Sequence, residues 1–224
     1  MISGSSHGPA SHEARRAAMV ARQLAARGIT DARVLAAMGS VPRERFVPAA
    51  VAESAYEDSA LPIGHRQTIS QPWIVAAICQ GLELGGDEDM LEVGTGSGYS
   101  AAVLAALSSQ VVSIELVHEL AERARATLAD LGVANVEVRT GDGSAGPVGG
   151  ESFDAIAVHA AAPVVPPALA VALRPGGRLV IPLSEGRDEM LVAIRRTDDG
   201  RDPRFERTAI APCRFVPLLG QSGF

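Results

Sequence analysis

Leu91-Glu92-Val93-Gly94-Thr95-Gly96-Ser97-Gly98-Tyr99 is the stretch on which the fold turns. Met90 to Val93 reads as a short apolar strand and Tyr99 to Leu107 as an Ala-rich helix, so the glycines stand between the two. Glycine at alternate positions permits a sharp turn and lets a ligand approach backbone where any Cβ would collide. The first amides of the following helix point at the same space. In an open α/β sheet that space, beyond the carboxyl ends of the strands, is where ligands bind. A dinucleotide fingerprint, Gly-x-Gly-x-x-Gly, would need glycine where Tyr99 stands. Glu92, inside the strand, would repel a pyrophosphate but suits a cofactor that carries an ammonium and a sulfonium.

Working outward, strands and helices alternate. Val111 to Ile114 reads as a strand ending at Glu115, and His118 to Leu131 as a helix closed by Gly132. A strand over 136–139 ends at Gly141-Asp142-Gly143. Phe153 to Val158 is another, followed by a helix over 165–173. Pro175-Gly176-Gly177 predicts a tight turn before a strand over 178–182. Met190 to Arg195 and Phe205 to Phe215 read as late strands without a helix between them, hence an antiparallel edge. Repeated strand–helix units predict a mostly parallel sheet with helices on both faces. Glu115 can accept from both ribose hydroxyls, or simply oppose a helix dipole. Asp142 can accept from an adenine amino group, or simply form an Asp-Gly turn. Ala160-Ala161-Ala162-Pro163 leaves room above the sheet. These positions fall at successive strand ends, which points to an adenosine-bearing, cationic cofactor.

Upstream, residues 1–12 are small and polar and are expected to be disordered. Ala14 to Leu24 favours helix and Gly28 stops it. Thr30 or Asp31 can cap a second helix through Met38, and Val41 to Pro48 reads as a turn and link. The expected organisation is one domain over 13–224, with a helical cap over 13–80 and an α/β core over 81–224. The 224-residue chain is 47% hydrophobic, with a net charge of -6, and all 20 of its basic residues are Arg. That balance suits a soluble globule and disfavours a nucleic-acid backbone as partner. Cys79 and Cys213 are far apart, in no metal or redox spacing. No run suggests a membrane span or a signal peptide, so a cytoplasmic protein, expected as a monomer, follows.

Ala60-Leu61-Pro62-Ile63-Gly64 and Gln67-Thr68-Ile69-Ser70-Gln71-Pro72 resemble the signature of the protein-L-isoaspartate O-methyltransferase family. So do the glycine stretch, Gly141-Asp142-Gly143, Phe153-Asp154-Ala155-Ile156, Gly176-Gly177-Arg178-Leu179 and Arg214-Phe215-Val216-Pro217-Leu218. The resemblance runs from about Met19 to Leu219. It implies a Rossmann-like class I fold and methyl transfer from S-adenosyl-L-methionine to the α-carboxylate of L-isoaspartyl residues, leaving S-adenosyl-L-homocysteine. The ester closes to a succinimide that reopens to aspartate, which is protein repair. The implied cofactor positions are Thr68, Ile69, Glu92, Gly94, Thr95, Gly96, Ser97, Gly98, Glu115, Asp142 and Gly143, with no metal. The residues 13–80 then include an acceptor and cofactor lid.

The chemistry asks little of a base, because an α-carboxylate with a pKa of roughly 3.5 is already ionised at neutral pH. Ser70 precedes Gln71-Pro72 and an apolar helical run, and can serve as its N-cap. The resemblance instead assigns it the catalytic position. His159 and Arg66 depart from the family pattern, where relatives often carry Thr and Gly. Contact with cofactor or acceptor, or mere packing, is open for His159, as is an acceptor contact or a solvated charge for Arg66. His7 and His12 fall in the tail and are given no role, and Trp73 is read as packing. The alternative activity is methylation of aspartate in a dedicated biosynthetic peptide.

Overall fold

Why the glycine stretch sits where it does follows from the strand order. The computed structural model describes residues 11–198 and 203–223. Seven strands form one sheet: β3 (Asp89–Val93), β4 (Gln110–Glu115), β5 (Val136–Thr140), β6 (Phe153–Val158), β7 (Leu173–Glu185), β8 (Asp188–Arg196) and β9 (Phe205–Cys213). Their spatial order is β5-β4-β3-β6-β7-β8-β9. The first five are parallel, while β8 runs antiparallel to both its neighbours, so the sheet is a mixed one with a meander edge. From β3 the chain steps outward to β4 and β5, then returns to pair β6 on the other side of β3. That reversal opens a crevice above β3 and β6.

The reversal also decides which helix lies on which face, since parallel crossovers are right-handed. Residues alternate along each strand: Met90, Ala155 and Ala157 join one buried cluster, and Leu91, Val93, Ile156 and Val158 join the other. The first cluster takes α3 (Pro72–Leu82), α4 (Tyr99–Ala105) and α5 (His118–Asp130). The second takes α6 (Pro167–Ala172). The helix expected over 165–173 is shortened by the two prolines at its start. The expected turn at Pro175-Gly176-Gly177 lies inside β7 as a bulge, where the pairing jumps from Phe153–Leu173 to Ala155–Arg178.

Residues 1–10 of the expected tail lie outside the described residues. Ser11 caps α1 (His12–Met19) through a bond to the Ala14 amide, and the helix widens and tightens to a left-handed Gly28. His12, given no role from sequence, belongs to this helix with its ring nitrogens 3.3 Å from Glu44 and 3.7 Å from Glu53. Asp31 caps α2 (Ala32–Ser40), accepting from the Arg33 and Val34 amides. Met19, Leu24, Val34 and Met38 share their core with Ile78, Leu82 and Leu104, so this segment packs on the sheet's own helices.

The expected helical cap contains a hairpin that the sequence reading did not place. β1 (Leu61–Gly64) pairs antiparallel with β2 (Gln67–Ile69), and His65 and Arg66 form the turn at φ 50° and 59°. Both are left-handed and neither is glycine, a conformation that costs side-chain-bearing residues of order 1 kcal/mol. Trp73 packs as expected, its indole donating to the Arg27 carbonyl beneath the Arg27 guanidinium. Cys79 is a buried free thiol, pushed well above its ordinary pKa by burial.

Candidate active site

The glycine loop leaves β3 at the centre of the sheet. The Gly94 amide donates to the Ile114 carbonyl at 2.9 Å, and Gly94, Gly96 and Gly98 adopt φ of 94°, 55° and 88°. A side chain is strained in all three. A Cβ on Gly94 would also press on His159, and one on Gly98 on Ala124. The loop lines an open cleft above the carboxyl ends of β3 and β4.

Glu115, at the end of β4, is where the sequence places it. One carboxylate oxygen accepts from the Gly96 amide at 2.8 Å and the other from the Val117 amide at 2.9 Å. Glu115 thus borders the cleft and fixes the loop at once. Gly143, at the end of β5, also lines the cleft. Gln67, Thr68 and Ile69 of β2, Ser70 after it, and Thr95, Gly96 and Ser97 of the glycine loop all line the cleft.

Glu92 lies elsewhere than expected. Its carboxylate is fully buried beneath the loop and does not line the cleft. It accepts from the Ser113 hydroxyl, which is bonded in turn to the Thr95 hydroxyl. These hydrogen bonds tie the loop to the strands below. The other Glu92 oxygen lies 3.2 Å from His159 Nε2 without the alignment of a hydrogen bond. Neither His159 nitrogen makes a hydrogen bond among the described residues, and the residue lines the cleft.

Asp142 is also differently engaged. Its carboxylate accepts from the Ser144 amide at 2.9 Å, the Ser144 hydroxyl at 2.7 Å and the Gln221 amide at 2.7 Å. Burial opposes its ionisation, but these bonds hold its carboxyl below the ordinary value. The partner at Gln221 belongs to a strap that sequence reading missed as part of the site. Ala161 donates to the Val216 carbonyl and accepts from the Leu218 amide, and Val216 to Leu219 line the cleft. The motif Arg214 to Leu218 was the available signal, though nothing local told where it lands.

Gly220 sits at φ 140° so close to Asp142 that a Cβ would stand 2.1 Å from a carboxylate oxygen. Gly220→Ala therefore detaches the strap from Asp142. The expected result is roughly tenfold weaker binding of S-adenosyl-L-homocysteine, read by titration calorimetry, with the melting temperature little changed. An unchanged affinity would show that the strap does not shape the cleft.

Ser70 is not the helix cap. Gln71 occupies that position without a side-chain bond, and Pro72 opens α3. Half-buried on the cleft wall, Ser70 has a hydroxyl without a hydrogen-bond partner among the described residues. Its carbonyl accepts from Arg43 at 2.8 Å. The cleft therefore offers a glycine cradle, a carboxylate beside it and a free hydroxyl.

The family model for protein-L-isoaspartate(D-aspartate) O-methyltransferase matches residues 14–223. A protein-L-isoaspartate O-methyltransferase 1 of Rhodopseudomonas palustris is 50% identical, covering 99% of this chain and 92% of its own. One from an Anaeromyxobacter species is 51% identical, covering 92% of this chain and 97% of its own. Among solved structures, a Plasmodium falciparum candidate protein-L-isoaspartate O-methyltransferase, in complex with S-adenosyl-L-homocysteine, shares the fold. Its TM-score is 0.77 at 24% identity, over 91% of this chain and 98% of that one. With the family model spanning nearly every described residue and half the positions identical in full-length relatives, the chain belongs to the protein-L-isoaspartate(D-aspartate) O-methyltransferase family.

Proposed function

We propose that this chain transfers a methyl group from S-adenosyl-L-methionine to the free α-carboxylate of L-isoaspartyl residues in damaged proteins. The observation that carries this reading is the unengaged Ser70 hydroxyl, on the wall facing the glycine loop, in a chain matched by the family almost throughout. The residues present fit the cofactor. The glycine cradle admits a ligand against the backbone, and Glu115 retains acceptor capacity for ribose hydroxyls. His159 borders the same cleft. Bound S-adenosyl-L-methionine supplies an electrophilic methyl on a sulfonium.

The protein's own part is alignment. The acceptor carboxylate is ionised without help, so no base has to be supplied. Ser70 donates a hydrogen bond to that carboxylate and turns one of its oxygens towards the loop. Thr68 and Ile69 flank the cofactor from the same strand. The hairpin and the strap together keep water from the reacting centre. Glu92 and Asp142 act at one remove, the first by supporting the loop and the second by holding the strap.

The same reading makes the protein a single domain over 13–224, supported by the core shared between cap and sheet. It also makes it a monomer acting in the cytoplasm on protein substrates, without nucleic-acid or membrane partners. The net charge of -6 disfavours a nucleic-acid backbone as partner, and no described helix is long and apolar enough to cross a membrane. The test is transfer of labelled methyl to matched peptides that contain L-isoaspartate or ordinary L-aspartate. Base-labile label on the isoaspartyl peptide alone is expected. Label on neither, with cofactor binding intact, overturns the repair reading in favour of a dedicated biosynthetic peptide.

A further inference from the structure

Arg43 is fully buried, yet no carboxylate lies against it among the described residues. Arginine is almost never buried so completely unless paired. Burial pushes its guanidinium down to about 10, against the pull of Tyr99 and Tyr56. An apolar side chain of similar volume would fill the space without that desolvation. What distinguishes the arginine is the set of groups it holds. Nε donates to the Ala55 carbonyl at 2.7 Å, and Nη2 donates to the Ser70 carbonyl at 2.8 Å. The guanidinium lies 4.8 Å from the centre of the Tyr99 ring, and Nη1 has no partner.

These contacts join three segments. Ala55 ends the helical region before the hairpin, Ser70 ends the hairpin, and Tyr99 opens the helix after the glycine loop. Ser70 precedes the N-cap Gln71, so its carbonyl stands outside the α3 ladder and takes Arg43 instead. Ser70 and Tyr99 both line the cleft. A planar guanidinium offers donors in fixed directions and a face for an aromatic ring, and an ammonium offers neither.

We propose that Arg43 is a positioning residue for methyl transfer, clamping the Ser70 carbonyl and the Tyr99 ring so that the Ser70 hydroxyl keeps its place across from the glycine loop. This assignment rests on the role given to Ser70, and a double-mutant cycle separates the two. Arg43→Lys keeps the charge and loses the fork. In an otherwise unchanged protein it lowers kcat on an isoaspartyl peptide about tenfold, while KM for S-adenosyl-L-methionine shifts less than about twofold. In a Ser70→Ala background the same change lowers kcat by less than about twofold, because the group being positioned is gone.

Equal losses in both backgrounds overturn the proposal and leave Arg43 as a structural support. Ser70→Ala with unaltered kcat removes the role of Ser70 itself, and the clamp with it. Should thermal melting show that Arg43→Lys does not fold, the same cycle is run with Arg43→Gln. That side chain keeps one planar donor and is expected to retain more kcat than a fully truncated one.

Discussion

Ser70→Ala lowers turnover on an isoaspartyl peptide about 100-fold while leaving the affinity for S-adenosyl-L-homocysteine within about twofold. The size follows from what the hydroxyl does. It contributes no proton transfer, only orientation of an acceptor that is already nucleophilic, and a misplaced acceptor is expensive in rate. The structure gives the experiment a clean second readout. Were Ser70 a helix cap, its loss would cost about 0.5–2 kcal/mol of stability. Since Gln71 holds the cap position and the Ser70 hydroxyl is unengaged, the melting temperature stays put. A variant with undiminished kcat, or one that loses activity only in step with stability, would remove Ser70 from the chemistry.

The second large effect belongs to Glu115. Its two oxygens take the Gly96 and Val117 amides and border the cleft where a ribose would lie. Glu115→Ala leaves the Gly96 amide without its acceptor and removes the partner of the ligand hydroxyls. Cofactor affinity is expected to fall by about 1–3 kcal/mol, that is from about fivefold to over a hundredfold. The loss is shared by methylthioadenosine, which has the ribose but no amino-acid tail, because the contact is to the sugar. Calorimetry with both ligands checks it. Undiminished binding of either would show that the carboxylate serves the loop alone.

The strand–glycine–helix order was legible because it is local: alternating apolar residues, a glycine run and an Ala-rich helix occupy consecutive positions. Glu115 was legible for the same reason, standing at a strand end about twenty residues on. The buried bond between Glu92 and Ser113 was not legible, because the two are brought together only by the pairing of neighbouring strands. The local part of Asp142's engagement, the turn to Ser144, was legible, whereas the Gln221 amide arrives from a segment distant in sequence. Nothing near Arg43 announces burial, since its partners arrive from Ala55 and Ser70. The hairpin escaped because His65-Arg66 lacks the Asn-Gly or Asp-Gly signature that such turns normally carry.

The strap has a mechanical consequence. Its two anchor points, Ala161 beyond β6 and Asp142 beyond β5, stand on opposite sides of the central strand β3, with β4 and β3 between them. It works as a tie beam beside the cleft, adding a second connection between strand ends that the sheet's own ladder already joins. Spreading those ends would stretch the Leu218 and Gln221 hydrogen bonds until they broke.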